Sequence, residues 1–86
     1  MNTTDRTAER IANLRSDLAN RVYRTIATIS DMEGVAGTCF SKGRHPEGSN
    51  LLITFGRLLE ARVASRKEIL LSSLVQHLDA AERVLA

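Results

Sequence analysis

The chain has few of the residues that support stacking, disulfides or membrane insertion. Its 86 residues include no tryptophan, one tyrosine and two phenylalanines, which leaves little for base stacking or aromatic ligand cages. A single cysteine, Cys39, excludes an internal disulfide and suits a reducing cytoplasm, where we expect the protein to work. No apolar run exceeds three residues, so we expect neither a transmembrane span nor a secretory signal.

Metal ligands and charge of one sign are also scarce. One cysteine and two histidines, His45 and His77, give no ligand set for a metal, and we expect no metal site and no cofactor. The net charge of +2 comes from 12 basic and 10 acidic residues, a balance that permits nucleic-acid contact without arguing for it. Because no catalytic motif stands out, we expect the protein not to be an enzyme.

Glycine is concentrated in one part of the chain. Gly34, Gly37, Gly43 and Gly48 fall between residues 34 and 50, which also hold the only proline, Pro46. Both flanks lack proline and space their apolar residues as a helix does. The pattern predicts a single all-α domain over 1–86, an antiparallel helical hairpin. Helix 1 spans about 5–33 with Thr4 as its N-cap, a glycine-rich insert spans 34–56, and helix 2 spans about 57–85.

Two helices with one apolar stripe each enclose almost no interior, so the stripes must be covered by something else. A second copy would cover them by forming a four-helix bundle, and a homodimer is the expected assembly, with another protein as a further partner. The residues predicted to carry self-association lie on the two stripes: Leu18 and Val22 on helix 1, and Leu70, Leu74 and Leu78 on helix 2.

Two patterns leave alternatives to this hairpin. Residues 35–40 and 51–55 could pair as a short β-hairpin, giving an α-β-β-α fold with strands inside 35–55. Ser65 and Glu68 have the spacing of a capping box, so a helix could also begin there rather than near residue 57.

The basic residues suggest two anion-binding or partner-binding surfaces. On a helical wheel, four arginines of helix 1 fall within about 60° of one another, and the insert adds a basic glycine-containing turn. Such a surface would suit a phosphate backbone or an acidic protein, although charged faces and polar turns of this kind more often serve only as solvated surface. The predicted contact residues are Arg6, Arg10, Arg21, Arg24, Lys42, Arg44 and His45.

Charged residues also interrupt the apolar side of helix 2. Glu60 and Lys67 lie seven positions apart where leucine would pack better, and the antiparallel register brings Tyr23 near Lys67. We predict a polar cluster of Tyr23, Glu60 and Lys67 in or beside the seam, because charges in a seam are best known for fixing register or partner choice. The alternative is that Lys67 extends along its own stem to water.

These features predict a small non-enzymatic adaptor or regulator that acts through helix-mediated protein–protein interaction. The alternative is a small DNA-binding transcriptional regulator that uses the arginine face and the basic insert. Residues 25–44 approximate a helix-turn-helix pattern, but Gly43 falls where a recognition helix needs an apolar anchor. No membrane contact is expected.

Overall fold

A computed structural model of the chain describes residues 6–86, and these residues form four α-helices with no β-strand among them. The helices are α1 (Thr7–Ala19), α2 (Ile26–Ser41), α3 (His45–Glu60) and α4 (Ala64–Leu85). Each packs against the next along the chain, α4 closes against α1, and α2 also touches α4 across the diagonal. The predicted all-α four-helix bundle is therefore confirmed, with all four helices supplied by one chain, and the β-hairpin alternative is wrong.

The predicted helix 1 is two helices, because the chain turns at Asn20. Arg21 adopts a left-handed conformation with φ 56°. Its N–H donates to the Leu18 carbonyl, and the Val22 N–H donates to the Asp17 carbonyl. This is the paired hydrogen-bond pattern that ends a helix, with arginine where glycine is usual. The prediction of one helix over 5–33 was wrong because the apolar spacing continues by coincidence across this turn. Thr4 and Asp5 lie outside the described residues.

α2 begins where a threonine caps it. Thr25 is extended, and its hydroxyl accepts a hydrogen bond from the Thr28 N–H at 3.1 Å, which satisfies one of the free donors of the first turn. The Thr28 hydroxyl, fully buried, donates in turn to the Asp17 carboxylate at 2.7 Å. Ile26 is therefore the first residue of a new helix and not the continuation of an old one.

The glycine-rich insert predicted over 34–56 is helical. Gly34 and Gly37 lie inside α2, and Gly48 and Gly56 lie inside α3. Only Gly43 lies in a turn, with φ 78°, and its N–H donates to the Phe40 carbonyl as α2 ends. The expected stop at Gly34 was wrong because tertiary packing outweighs the modest helix penalty of a glycine.

The predicted helix 2 is also divided. Residues 57–60 are the last turn of α3, residues 61–63 connect, and α4 begins at Ala64. The Ser65–Glu68 pattern indicated a break in the correct region, although the helix start has Val63 at its N-cap, with no side-chain cap.

The core runs along the axis of the bundle and draws on every helix. Because four helices from one chain enclose it, the apolar stripes have no need of a second copy. Leu18, Leu70, Leu74 and Leu78 are all buried inside the chain, whereas Val22 lies outside the core. The core residues are Ile11, Leu14, Leu18, Tyr23, Met32, Val35, Cys39, Leu51, Phe55, Leu58, Leu70, Leu71, Leu74, Leu78 and Ala81. Within residues 6–86, no helix is both long and apolar enough to cross a membrane.

Candidate functional site

The arginine face predicted on helix 1 is divided between two places. Arg6 and Arg10 lie at the start of α1, where Arg6 Nε is 3.4 Å from the Glu9 carboxylate. The Arg10 guanidinium lies across Gly34, so close that a Cβ on that residue would clash with it. Arg21 and Arg24 follow α1, about 20 Å farther along its axis. The four arginines therefore do not form one surface.

Arg21 and Arg24 hold the α1–α2 connection against the second half of the chain. Arg21 donates to the Glu68 carboxylate of α4 from Nε at 3.2 Å and from its terminal nitrogen at 2.6 Å. Arg24 donates to the Leu59 carbonyl at 2.8 Å, in the last turn of α3, where a cation complements the helix dipole. Residues 20–25 therefore lie beside the end of α3 and the start of α4.

Lys42, Arg44 and His45 lie at the opposite end of the bundle, in the α2–α3 turn and the first residue of α3. The His45 ring lies 5.5 Å from the Phe40 ring. The basic turn of the predicted insert therefore lies far from Arg21 and Arg24.

The three members of the predicted seam cluster have different environments. Tyr23 is buried in the core, with the Arg24 guanidinium 5.6 Å above its ring. Glu60 is exposed and Lys67 is half-buried. Within residues 6–86 no hydrogen bond or ion pair joins Tyr23, Glu60 and Lys67, so they form no polar cluster.

The end of the bundle that Arg21 and Arg24 assemble is strongly basic. We define the basic end as residues 20–26 and 57–68. It carries six of the 12 basic residues of the chain but only two of the 10 acidic ones. The rest of the chain therefore carries six basic and eight acidic residues. The basic residues are Arg21, Arg24, Arg57, Arg62, Arg66 and Lys67, and the acidic ones are Glu60 and Glu68. Six basic minus two acidic residues give the basic end a net charge of +4, which exceeds the net charge of +2 of the whole chain.

The basic end also exposes apolar side chains. Ile26, the first residue of α2, is 87% exposed, Val63 is 62% exposed and Val22 is 41% exposed. They occupy or adjoin the two connections that meet at this end of the bundle. Scattered exposed apolar residues are normal, but several at one charged end are typical of an interaction surface.

A cleft of about 250 Å³ opens at the α3–α4 corner of this end, lined by Arg57, Glu60, Ala61, Arg66 and Leu70. Arg57 and Arg66 are exposed, and within residues 6–86 neither guanidinium makes a hydrogen bond or ion pair. These two arginines were not among the predicted site residues, because the apolar spacing predicts one continuous helix through both. The signal that could have found them is the break between Ala61 and Ala64, which turns two helix faces toward each other.

A second cleft, of about 310 Å³, lies between α1 and α4 over Leu18, Leu71 and Val75. Its charges are already compensated. Arg15 contacts Asp79 at 2.6 Å and also Glu82, and these carboxylates raise the pKa of Arg15. Glu68 does the same for the pKa of Arg21. These ion pairs join the two helices and leave no free charge to hold a ligand.

The single cysteine and the two histidines all lie outside the basic end. Cys39 is fully buried in the last turn of α2, and burial raises the pKa of its thiol. Within residues 6–86 no group of three histidine, cysteine or acidic side chains is arranged to hold a metal ion.

The chain matches no family model, no curated protein and no solved structure.

Proposed function

We propose that this chain is a small non-enzymatic adaptor or regulator of the cytoplasm that binds another protein through its basic end. The observation that carries the proposal is Ile26, which is 87% exposed at the edge of an end with six basic and two acidic residues. Exposing an isoleucine to water in the free protein gives up favourable burial, which a partner's apolar surface restores. The arginines around it supply orientation and fast association.

DNA binding was the alternative function, through the helix 1 arginines together with the insert. In the fold Arg21 and Arg24 lie at the end of the bundle opposite to the α2–α3 turn, whereas Arg6 and Arg10 lie at the start of α1, so the helix 1 arginines form no single surface on a bundle whose longest dimension is 44 Å. A duplex would also leave Ile26 and Val63 without apolar contacts, since phosphate oxygens dominate its surface. The protein-binding proposal accounts for both the charge and the exposed apolar groups.

Self-association has no surface assigned to it by this fold, because four of the five residues predicted to carry it are buried within one chain. Two copies meeting through their basic ends would also bring like charges together. The proposed partner is therefore a different protein.

The proposal is tested by selecting binders from a display library of random linear peptides. Ile26→Asp and Ile53→Asp form a matched pair, because both isoleucines are exposed, Ile53 to 52% in the middle of α3. Selected peptides should lose binding to Ile26→Asp and keep it on Ile53→Asp. An absence of selectable peptides, or equal loss on both variants, would overturn the proposal.

A further inference from the structure

We propose that the partner segment is an acidic amphipathic helix whose carboxylates bind Arg57 and Arg66 in the α3–α4 cleft. Its apolar side chains would cover Ile26 and Val63. This inference rests on the proposed function and adds the chemistry of the partner. No sheet edge exists within residues 6–86, so an extended peptide cannot add a strand, and recognition must come from side chains.

The cleft suits a carboxylate in three respects. Arg57 comes from the last turn of α3 and Arg66 from the first turn of α4, so two guanidinium groups border one opening of about 250 Å³. Neither has a partner within the described part of the chain, so no existing bond must break. Leu70, almost fully buried, and Ala61 also line the opening, so they offer an apolar contact to the methylene groups of a glutamate.

Arginine recognises carboxylates through two parallel N–H groups. Arg21 already does so at this same end, with both Glu68 oxygens accepting. Five of the six basic residues of the basic end are arginine and one is lysine, and arginine is enriched at protein interfaces while lysine is depleted.

Glu60 supplies an internal control. Its carboxylate lines the same cleft, yet lies farther than 4.0 Å from both guanidinium groups, since no ion pair joins them. It must repel an incoming carboxylate, so Glu60→Gln should strengthen binding while substitution of the arginines weakens it. Damage to the fold would weaken binding in every variant, so an increase in affinity for Glu60→Gln and a decrease for the arginine variants would not come from altered folding.

The probe is a helical peptide of leucine, alanine and glutamate, with leucines at i, i+3, i+4 and i+7 and glutamates on both flanks. Its matched control replaces every glutamate by glutamine. We expect the acidic peptide to bind about tenfold more weakly to the double variant Arg57→Gln/Arg66→Gln and a few-fold more tightly to Glu60→Gln. Arg44→Gln/Arg83→Gln is the charge-matched protein control, because it removes two positive charges from exposed residues outside the basic end.

The outcomes separate this inference from the proposed function. Peptide binding that depends on Ile26 but not on Arg57, Arg66 or Glu60 would overturn the cleft assignment and leave the proposed function standing. Failure of the peptide alongside tight binding to phosphatidylserine vesicles or duplex DNA would overturn the partner chemistry. Binding that is unaffected by Ile26→Asp would contradict the proposed function itself. Circular dichroism melting of each variant checks that the fold is intact.

Discussion

Arg21 and Glu68 form a two-pronged ion pair across 47 positions of sequence, with a shorter N···O distance of 2.6 Å. Arg21 ends α1 in a left-handed conformation, and Glu68 lies in the second turn of α4. The pair joins the α1–α2 connection to the α3–α4 corner. It therefore brings Val22 and Ile26 to the same end of the bundle as the cleft arginines.

The left-handed conformation of Arg21 can be tested with two substitutions. Arg21→Gly and Arg21→Ala both remove the ion pair with Glu68, but only glycine adopts φ 56° without steric cost. We expect the glycine variant to melt at a higher temperature than the alanine variant. Differential scanning calorimetry of the two proteins in the same buffer measures this. Equal melting, or a more stable alanine variant, would contradict the turn.

The buried hydroxyl of Thr28 should contribute to stability. Thr28→Val keeps the shape of the side chain but removes the donor to Asp17, so we expect a loss of about 1–3 kcal/mol in the free energy of unfolding. Thr38→Val is the control, because the Thr38 hydroxyl donates to the Gly34 carbonyl within its own helix, and that change should cost less than about 0.5 kcal/mol. Urea denaturation measures both, and similar losses would contradict the tertiary role of Thr28.

Two helical glycines should respond oppositely to alanine. A Cβ on Gly37 meets nothing within 4 Å, whereas one on Gly48 would lie 2.9 Å from the Phe40 ring and 3.0 Å from the Ala36 carbonyl oxygen. Gly37→Ala should stabilise the protein by about 0.5–1 kcal/mol through helix propensity. Gly48→Ala should destabilise it by about 1–3 kcal/mol through overcrowding between α2 and α3. Thermal unfolding that moves both variants in the same direction would show that this helix contact is misplaced.

Cys39 should be unreactive in the folded protein. Its side chain is fully buried, and the raised pKa of its thiol lowers the fraction of reactive thiolate at neutral pH. We expect alkylation by iodoacetamide to be at least about a hundredfold slower than in the urea-unfolded chain, because it requires an opening of the bundle. Mass spectrometry of timed reactions measures the ratio, and comparable rates would mean that α2 is not packed as described.

The sequence contained enough information for the class of fold and for much of the core. Helical spacing of Leu18, Leu70, Leu74 and Leu78 correctly indicated a buried face, because burial of a stripe is what that spacing reflects. The number of helices was not predictable in this way. Five glycines suggested an irregular insert, yet four of them lie within helices, where packing such as that of Gly48 against Phe40 compensates their weak propensity.

The candidate site was less predictable than the core. Arg57 and Arg66 approach each other only because the chain turns between Ala61 and Ala64, and a wheel drawn on one long helix cannot show that. Val22 and Ile26 fitted the helix 1 stripe by spacing alone, but the turn at Arg21 moves them out of the core. Both errors come from a missed helix end, after which the chain takes a new direction.

Binding of an acidic amphipathic helix to the basic end can be followed residue by residue with methyl NMR. The chain is labelled on its isoleucine and valine methyl groups and titrated with the leucine–glutamate peptide. We expect shifts of the Ile26, Val22 and Val63 methyl signals that saturate with peptide and weaken at high salt, while the signal of exposed Ile53 stays unchanged. Equal shifts at Ile53, or none at Ile26, would show that the basic end does not bind the peptide.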